Sequence, residues 1–369
     1  MKKNLIYVLM AAGLVQLSSC AKENFVNPVP TNVISDLTAF DSKDRIEGQV
    51  RSIYASIKNA GMYGGRYQIF NDIRGGDFMN DRTNVVTGFD VWNYTPSNSS
   101  TNSVQNHWSR AYYVINLSNV FLDGMAAKGT AVVGATISNN YQAEARLLRA
   151  MSYYSLLQLY ARPFWDGNGS KPGVPLRLKG NTGSDNYALA RATVAEVYTQ
   201  ILADLNFAET NLPTTNSSAF NNTTRAHRNT AIALKTRVYL SMRRYADVIT
   251  EANKIVSASA PFTATSGVAH ALQADVTNVF KAPYTTTESI FSMPFASNEA
   301  PGGQNQLGYY YGPAAFNGGN GEYSLLSTGI VSNTGWKTTD RRRAMVGVYG
   351  GKSYLTKYSI PSIFTDYAP

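Results

Sequence analysis

Apolar residues recur at helical spacing through most of the chain up to about residue 260. Ile46, Val50, Ile53 and Ile57 are followed by Gly61, which predicts an amphipathic helix with a C-terminal stop. Trp108, Ala111, Tyr112, Ile115 and Val120, ended by Gly124, predict a second. From Tyr141 to Tyr160 the positions Ala143, Leu147, Met151, Tyr154 and Leu157 keep the same period until Arg162-Pro163 breaks it. Thr193 and Glu196 form a capping box that opens a fourth helix through Val194, Val197, Ile201, Leu205 and Leu212, closed by Pro213. After the Asn/Ser/Thr-rich loop from Thr214 to Thr224, one helix carries Ala231, Leu234, Val238 and Tyr239, and its partner carries Ala246, Ile249, Ala252 and Ile255. The short turn from Ser241 to Tyr245 makes these two an antiparallel hairpin. Small and aromatic residues alternate on the paired helices as in tetratricopeptide hairpins, without a clean repeat of about 34 residues.

Past about residue 260 the pattern changes. Asn278 to Phe295 alternates apolar and polar residues in short bursts, and Ala300 to Glu322 is rich in Gly and Tyr. A loop that long inside a compact protein is usually functional or disordered, and its aromatics argue against disorder.

The N-terminus has a different grammar. Lys2-Lys3 is a positive n-region, and Leu5 to Leu17 is an apolar h-region too short to cross a bilayer of about 30 Å as a helix. It ends in Leu17-Ser18-Ser19-Cys20, which matches a bacterial lipobox: an aliphatic residue, two small residues and the cysteine that receives lipid. Residues 1–19 therefore read as a lipoprotein signal peptide, and 20–37 as a polar, proline-bearing tether behind a lipidated Cys20. Acyl chains supply roughly 0.8 kcal/mol per buried methylene, enough to hold a multiply acylated protein at a membrane.

Composition narrows the chemistry. The chain has 369 residues, 33 Lys+Arg against 24 Asp+Glu, three His and one Cys. A single cysteine excludes an intrachain disulfide, and His107, His227 and His270 are too few and scattered for a Cys/His zinc site. No metal or cofactor is expected. The formal charge of +9 is spread along the chain; the one cluster, Arg341-Arg342-Arg343, is too short to suggest nucleic acid. The sequence has no G-x-S-x-G, H-E-x-x-H, Walker or dinucleotide-binding motif, so a binding protein is expected rather than an enzyme.

Several motifs then occur in a specific order. Trp108, Tyr112, Ile115, Asn116 and Asn119 are followed by Glu144-Ala145-Arg146, Leu147-Leu148-Arg149-Ala150 and Tyr153-Tyr154, then by Leu159-Tyr160 and Gly173-Val174-Pro175-Leu176. Arg191, Thr193-Val194, Val197-Tyr198, Ile201, Asp204-Leu205 and Leu212-Pro213 come next. Ala233-Leu234-Lys235, Arg237 to Leu240, Glu288 to Phe291 and Asp340-Arg341-Arg342 complete the set. With the lipobox, this order resembles the SusD/RagB family of Bacteroidetes outer-membrane lipoproteins.

The resemblance implies a mainly α fold: a tetratricopeptide-like helical-repeat body with a loop-rich ligand-binding face and a few short strands. It implies one SusD-like domain over 38–369, with helical pairs at about 38–260 and the loop-rich region at about 261–369. It also implies an outer-membrane, cell-surface protein that captures oligosaccharide or peptide and delivers it to a SusC-like TonB-dependent transporter. Family members typically continue into a further helical pair, which is missing from this sequence. The rival reading is a helical-repeat scaffold that binds proteins at the outer membrane; it has no need of the Tyr/Gly-rich loop.

Glycan capture needs flat aromatic platforms with amides or carboxylates beside them. Trp92-Asn93-Tyr94 offers both, as does Tyr309-Tyr310-Tyr311, with Gln304, Asn305 and Asn317 nearby. Trp336, between Gly335 and Lys337, is a third candidate. Each has a plain alternative as packing between loops and helices. Trp108 and Trp165 are assigned to structure. Arg74-Gly75-Gly76-Asp77 reads as a turn closed by an Arg–Asp contact, and Asp340-Arg341-Arg342 as an ion pair.

Overall fold

The computed structural model describes residues 38–98, 103–183, 187–281, 285–296 and 306–359. The expected signal peptide (1–19), Cys20, the expected tether (20–37), Gln304, Asn305 and the end of the chain lie outside the described residues. In chain order the main elements are α1 (Lys43–Ile57), α2 (Arg66–Ile73), β1 (Phe78–Asn80), α3 (Phe89–Trp92), α4 (Val104–Gly124), α5 (Ala135–Tyr160), β2 (Pro172–Pro175) and β3 (Arg191–Thr193). Then come α6 (Val194–Asn211), α7 (Arg228–Ser241), α8 (Tyr245–Ala252), α9 (Leu307–Tyr311), β4 (Tyr323–Leu325), β5 (Val346–Tyr349) and β6 (Lys352–Leu355). The fold is mainly α.

The periodicity of the sequence is the packing pattern of the body. Ile46, Val50, Ile53 and Ile57 are all buried, and they set α1 against α4 and α5. The latter packs against α4 on one side and α6 on the other, and α7 bridges α6 to α8. The capping box at Thr193 is formed, with Thr193 Oγ1 accepting from the Glu196 amide and the Glu196 carboxylate accepting from the Thr193 amide. Helix α5 ends at Tyr160, before Arg162-Pro163, because proline cannot continue the hydrogen-bond ladder.

The predicted glycine stops act differently. Helix α1 ends at Ile57, short of Gly61, and Gly61 sits so close to α4 that a Cβ there would collide with Asn106. Gly124 packs under the ring of Phe40, and the chain runs on through a π turn at Met125–Gly129. Both glycines permit close approach. Helix α8 is shorter than its apolar period suggests: Ile255 is buried beyond its end, whereas Ile249 is 61% exposed.

Charged residues within the sequence motifs tie the helices together from inside. Arg149 donates to both Asp204 oxygens, at 2.6 and 2.8 Å, and to Asn119 Oδ1 at 2.6 Å. The Asn119 amide in turn donates to the carbonyls of Arg177 and Lys179, so the network joins α4, α5, α6 and the loop after β2. Glu144 accepts from Arg225 at 2.8 and 3.0 Å and from the Tyr54 hydroxyl at 2.8 Å.

A second, smaller core lies beside this body. It gathers Ile69, Phe70 and Ile73 of α2, Val91 of α3, Leu307, Tyr310 and Tyr311 of α9, and Tyr323 of β4. Over it runs a four-stranded sheet in the order β1-β4-β6-β5, antiparallel throughout, with Phe78 opposite Leu325 and Met79 opposite Ser324. Gly350 and Gly351 form the two-residue turn between β5 and β6, with φ of 55° and 77°. Such a turn needs left-handed conformations at both positions.

Candidate glycan-binding site

A cleft of about 730 Å³ opens where the Arg74–Phe78 turn meets the loop after β4. Phe78, Leu325 and Ile330 give it an apolar lining, and Asp77, Thr328, Ser332 and Asn333 give it polar groups. The Asp77 carboxylate makes no hydrogen bond or ion pair among the described residues and lies against Gly329. It is an open acceptor. Asn333 uses Oδ1 to accept from the Gly335 amide at 2.8 Å, which leaves its NH2 group to donate.

Trp92 and Trp336 do not line the cleft, but each is tethered to a residue that does. The Trp92 indole N–H donates to the Phe78 carbonyl at 2.8 Å, and the Trp336 amide donates to the Asn333 carbonyl at 3.0 Å. Trp92 is half-buried, its ring 5.9 Å from Phe89 and packed against the second core. Trp336 is also half-buried, with the Arg343 guanidinium 4.4 Å above its ring and bonded to its carbonyl, so one face is covered. Asn93 is exposed. Tyr94 is 72% exposed, held by a hydrogen bond of 2.9 Å from its hydroxyl to the Arg74 carbonyl and by a left-handed φ of 57°.

The tyrosine run is different. Residues 307–311 form α9 rather than a loop, and Tyr310 and Tyr311 are both 0% exposed. Tyr310 stacks on Tyr323 with centroids 6.2 Å apart, and its oxygen accepts from Arg66 at 2.6 Å. Tyr311 packs 5.3 Å from Phe78 and donates to Asp72 at 2.9 Å. Burial raises the Asp72 carboxyl pKa above its ordinary value, against the lowering effect of the Tyr311 hydroxyl. Neither ring presents a face to a ligand. Tyr309 is half-buried.

The Arg74–Asp77 turn also departs from expectation. Arg74 donates to the Gln158 carbonyl at 2.5 Å instead of meeting Asp77, because α2, whose C-terminus it caps, packs against α5. This is what frees Asp77. The Asp340–Arg342 ion pair forms at 2.5 Å on the surface, and Arg341 pairs with Asp275. Trp108 packs edge-on to Tyr160, 5.1 Å away, as a structural residue. Trp165 is 51% exposed beyond the end of α5, under the Arg243 guanidinium.

Phe78, Asp77, Thr328 and Asn333 were not legible as site residues. The one local signal was the run of turn formers from Ser327 to Gly335. Of the residues lining the cleft, Asp77 alone carries a carboxylate, whereas glycoside hydrolysis generally uses a pair. Among the described residues no group of three or more His, Cys, Asp or Glu is placed to hold a metal ion, and no helix is long and apolar enough to cross a membrane.

The family described as "SusD-like: Starch-binding associating with outer membrane" matches residues 31–240. The chain belongs to the SusD-like family. A SusD superfamily protein from Bacteroides fragilis has the same fold, with a TM-score of 0.74 and 30% identity over 89% of this chain and 72% of its own. A structure described as a laminarin-binding SusD-like protein gives a TM-score of 0.66 at 18% identity, over 87% of this chain and 73% of that one. SusD-like protein P2 of Formosa agariphila is 23% identical over 93% of this chain. The chain spans 64% of the length of that relative.

Proposed function

We propose that this SusD-like protein captures oligosaccharide at the cell surface, held to the outer membrane through acyl chains on Cys20, and delivers it to a SusC-like TonB-dependent transporter. It binds its ligand and leaves the covalent bonds intact. The observation that carries the reading is the cleft at Asp77 and Phe78, where an unpaired carboxylate, a free amide and apolar walls meet, and two of whose lining residues, Phe78 and Asn333, are hydrogen-bonded to Trp92 and Trp336. Sugar rings present apolar faces to aromatic surfaces and hydroxyls to amides and carboxylates, which matches that mixture. The starch-binding description of the family and the laminarin-binding relative support a glucan as ligand.

Calorimetric titration of the unlipidated protein with starch- and laminarin-derived oligosaccharides is expected to show reversible binding. Trp336→Ala or Asp77→Ala should weaken it by about tenfold, the effect of 1.4 kcal/mol. A folded protein that ignores both glucans but binds peptides would move the ligand class to peptide, and one that binds neither would reject ligand capture. In cells, Cys20→Ala should move the protein from the membrane to the soluble fraction; unchanged retention would overturn the anchor.

A further inference from the structure

Thr230, Ala233, Leu234 and Arg237 of α7 recur at i, i+3, i+4 and i+7, so they share one face of the helix, and that face lines a cavity of about 540 Å³. Tyr63 and Tyr67, Phe280, the segment around Glu288 and Phe291, and Tyr358 form its other walls. It shares no lining residue with the Asp77 cleft. Its volume falls within the range of about 300–1,000 Å³ usual for ligand sites.

The walls combine aromatic surface with polar groups that lack partners. The hydroxyls of Tyr63 and Tyr67 are committed inside the protein, to the Met151 carbonyl at 3.4 Å and to the Gln158 side chain, so these residues offer the cavity ring surface. Phe280 and Tyr358 meet edge to face, 5.6 Å apart, and extend it. Gln68 donates through Nε2 to the Tyr63 carbonyl at 2.9 Å, but its Oε1 is buried and accepts nothing among the described residues. Buried acceptors are nearly always satisfied, so this oxygen marks a place for a donor from a ligand. Arg237 is exposed, and its guanidinium makes no hydrogen bond or ion pair among the described residues. Glu288 is half-buried; one of its oxygens accepts from the Gln273 amide at 2.8 Å and the other stays open. Although Arg237 and Glu288 line the same cavity, they do not pair with each other.

Two opposite charges held apart in one aromatic-walled cavity select the ligand class. A neutral sugar would match neither charge, and a uronic acid would meet Arg237 but bring a second negative charge to the cavity that holds Glu288. A molecule with a carboxylate at one end and an ammonium at the other matches both. We propose that this cavity binds a short peptide with free termini. Its carboxylate bonds Arg237, its ammonium meets the open oxygen of Glu288, a backbone N–H donates to Gln68 Oε1, and an apolar side chain lies against the rings. The proposal is independent of the reading of the Asp77 cleft as a glycan site.

The experiment is calorimetry of the full unlipidated chain with the tripeptide Ala-Phe-Ala in three forms: free at both ends, N-acetylated and C-amidated. The free form should bind at one peptide per protein, about tenfold more tightly than either capped form. Arg237→Met should weaken the free and N-acetylated forms by about tenfold and leave the C-amidated form unchanged. Glu288→Gln, which keeps an acceptor for the Gln273 amide, should weaken the free and C-amidated forms and leave the N-acetylated form unchanged. Melting temperatures check that both variants fold, and saturation with a gluco-oligosaccharide should leave peptide affinity as it was. Absence of peptide binding, indifference to the caps, equal losses for all three forms in either variant, or displacement by the glucan overturns the peptide site. So does an oligogalacturonide that binds in an Arg237-dependent way where the peptide does not. Titration with glucan alone decides the Asp77 cleft separately.

Discussion

At Tyr310 the hydroxyl and the ring are committed to different partners: the oxygen accepts from Arg66, and the ring lies parallel to Tyr323. Arg66 also donates to the Val86 carbonyl at 2.5 Å, so the tyrosine is one of the acceptors of a buried guanidinium. Tyr310→Ala should therefore lower unfolding free energy by about 3–5 kcal/mol, through a cavity and a stranded donor. Tyr310→Phe, which removes only the hydroxyl, should cost about 1–3 kcal/mol. Chemical denaturation measures both. Loss of glycan binding at unchanged stability would instead make Tyr310 a ligand platform. Trp92 has a similar double commitment through its bond to Phe78, so its truncation should lower stability as well as weaken binding. Tyr94, 72% exposed, is the aromatic candidate whose truncation should cost least in packing. None of this could be read from three consecutive tyrosines, because consecutive residues on a single helical turn point in different directions and the packing partners come from distant parts of the chain.

Helix α5 is the element that organises the body. Its motif residues Glu144, Arg146 and Arg149 read as a family pattern in sequence, and in the fold they are the ion pairs that register α5 against α6 and the segment at Arg225. The Arg149 and Asp204 side chains are only 4% and 0% exposed. Removing one member of a buried pair leaves an uncompensated charge and costs about 3–5 kcal/mol. Asp204→Ala is expected to fall in that range by urea denaturation. The double variant Arg149→Met with Asp204→Leu should recover much of the loss, and strictly additive losses would show that the two residues do not act as a pair. The β5–β6 hairpin does carry a local signal in the sequence, Gly350-Gly351 between two tyrosine-bearing runs. The pairing of β1 with β4 had no such signal, since its strands are three residues long and far apart in the chain.

At the scale of the whole molecule, buried imidazoles link the fold to pH. His107 lies between the Gly61 carbonyl at 2.9 Å and Ser155 Oγ at 3.1 Å, and burial pushes its pKa down to about 4. His227, stacked on His270 with centroids 5.3 Å apart, is pushed down to about 4 by burial and by its neighbour. Both are depressed below the unfolded value of about 6.5, so the unfolded chain takes up protons first as the pH falls. Their contribution is present in full above about pH 6.5 and is lost towards pH 4, up to about 3 kcal/mol for each. The buried carboxyls of Asp72 and Glu144, both raised chiefly by burial, act with the opposite sign just above the ordinary carboxylate range. Urea midpoints measured from pH 7.5 to 4.5 should therefore fall as the pH drops, and His107→Asn should flatten the slope. An unchanged slope would remove His107 from the linkage.

The sequence by itself determined the helical body, because helix period, capping boxes and proline breaks are local signals carried within a few turns of chain. It also contained the motif charges whose pairing locks the body. The tertiary structure decided which aromatic rings face a ligand. That depends on the meeting of α2, the Trp92 turn, α9 and β4 in the second core, which buries Tyr310 and Tyr311 and leaves Asp77, Tyr94 and Asn333 at the surface. Contacts between segments more than two hundred residues apart leave no period in the sequence, so the cleft becomes visible only when the chain is folded.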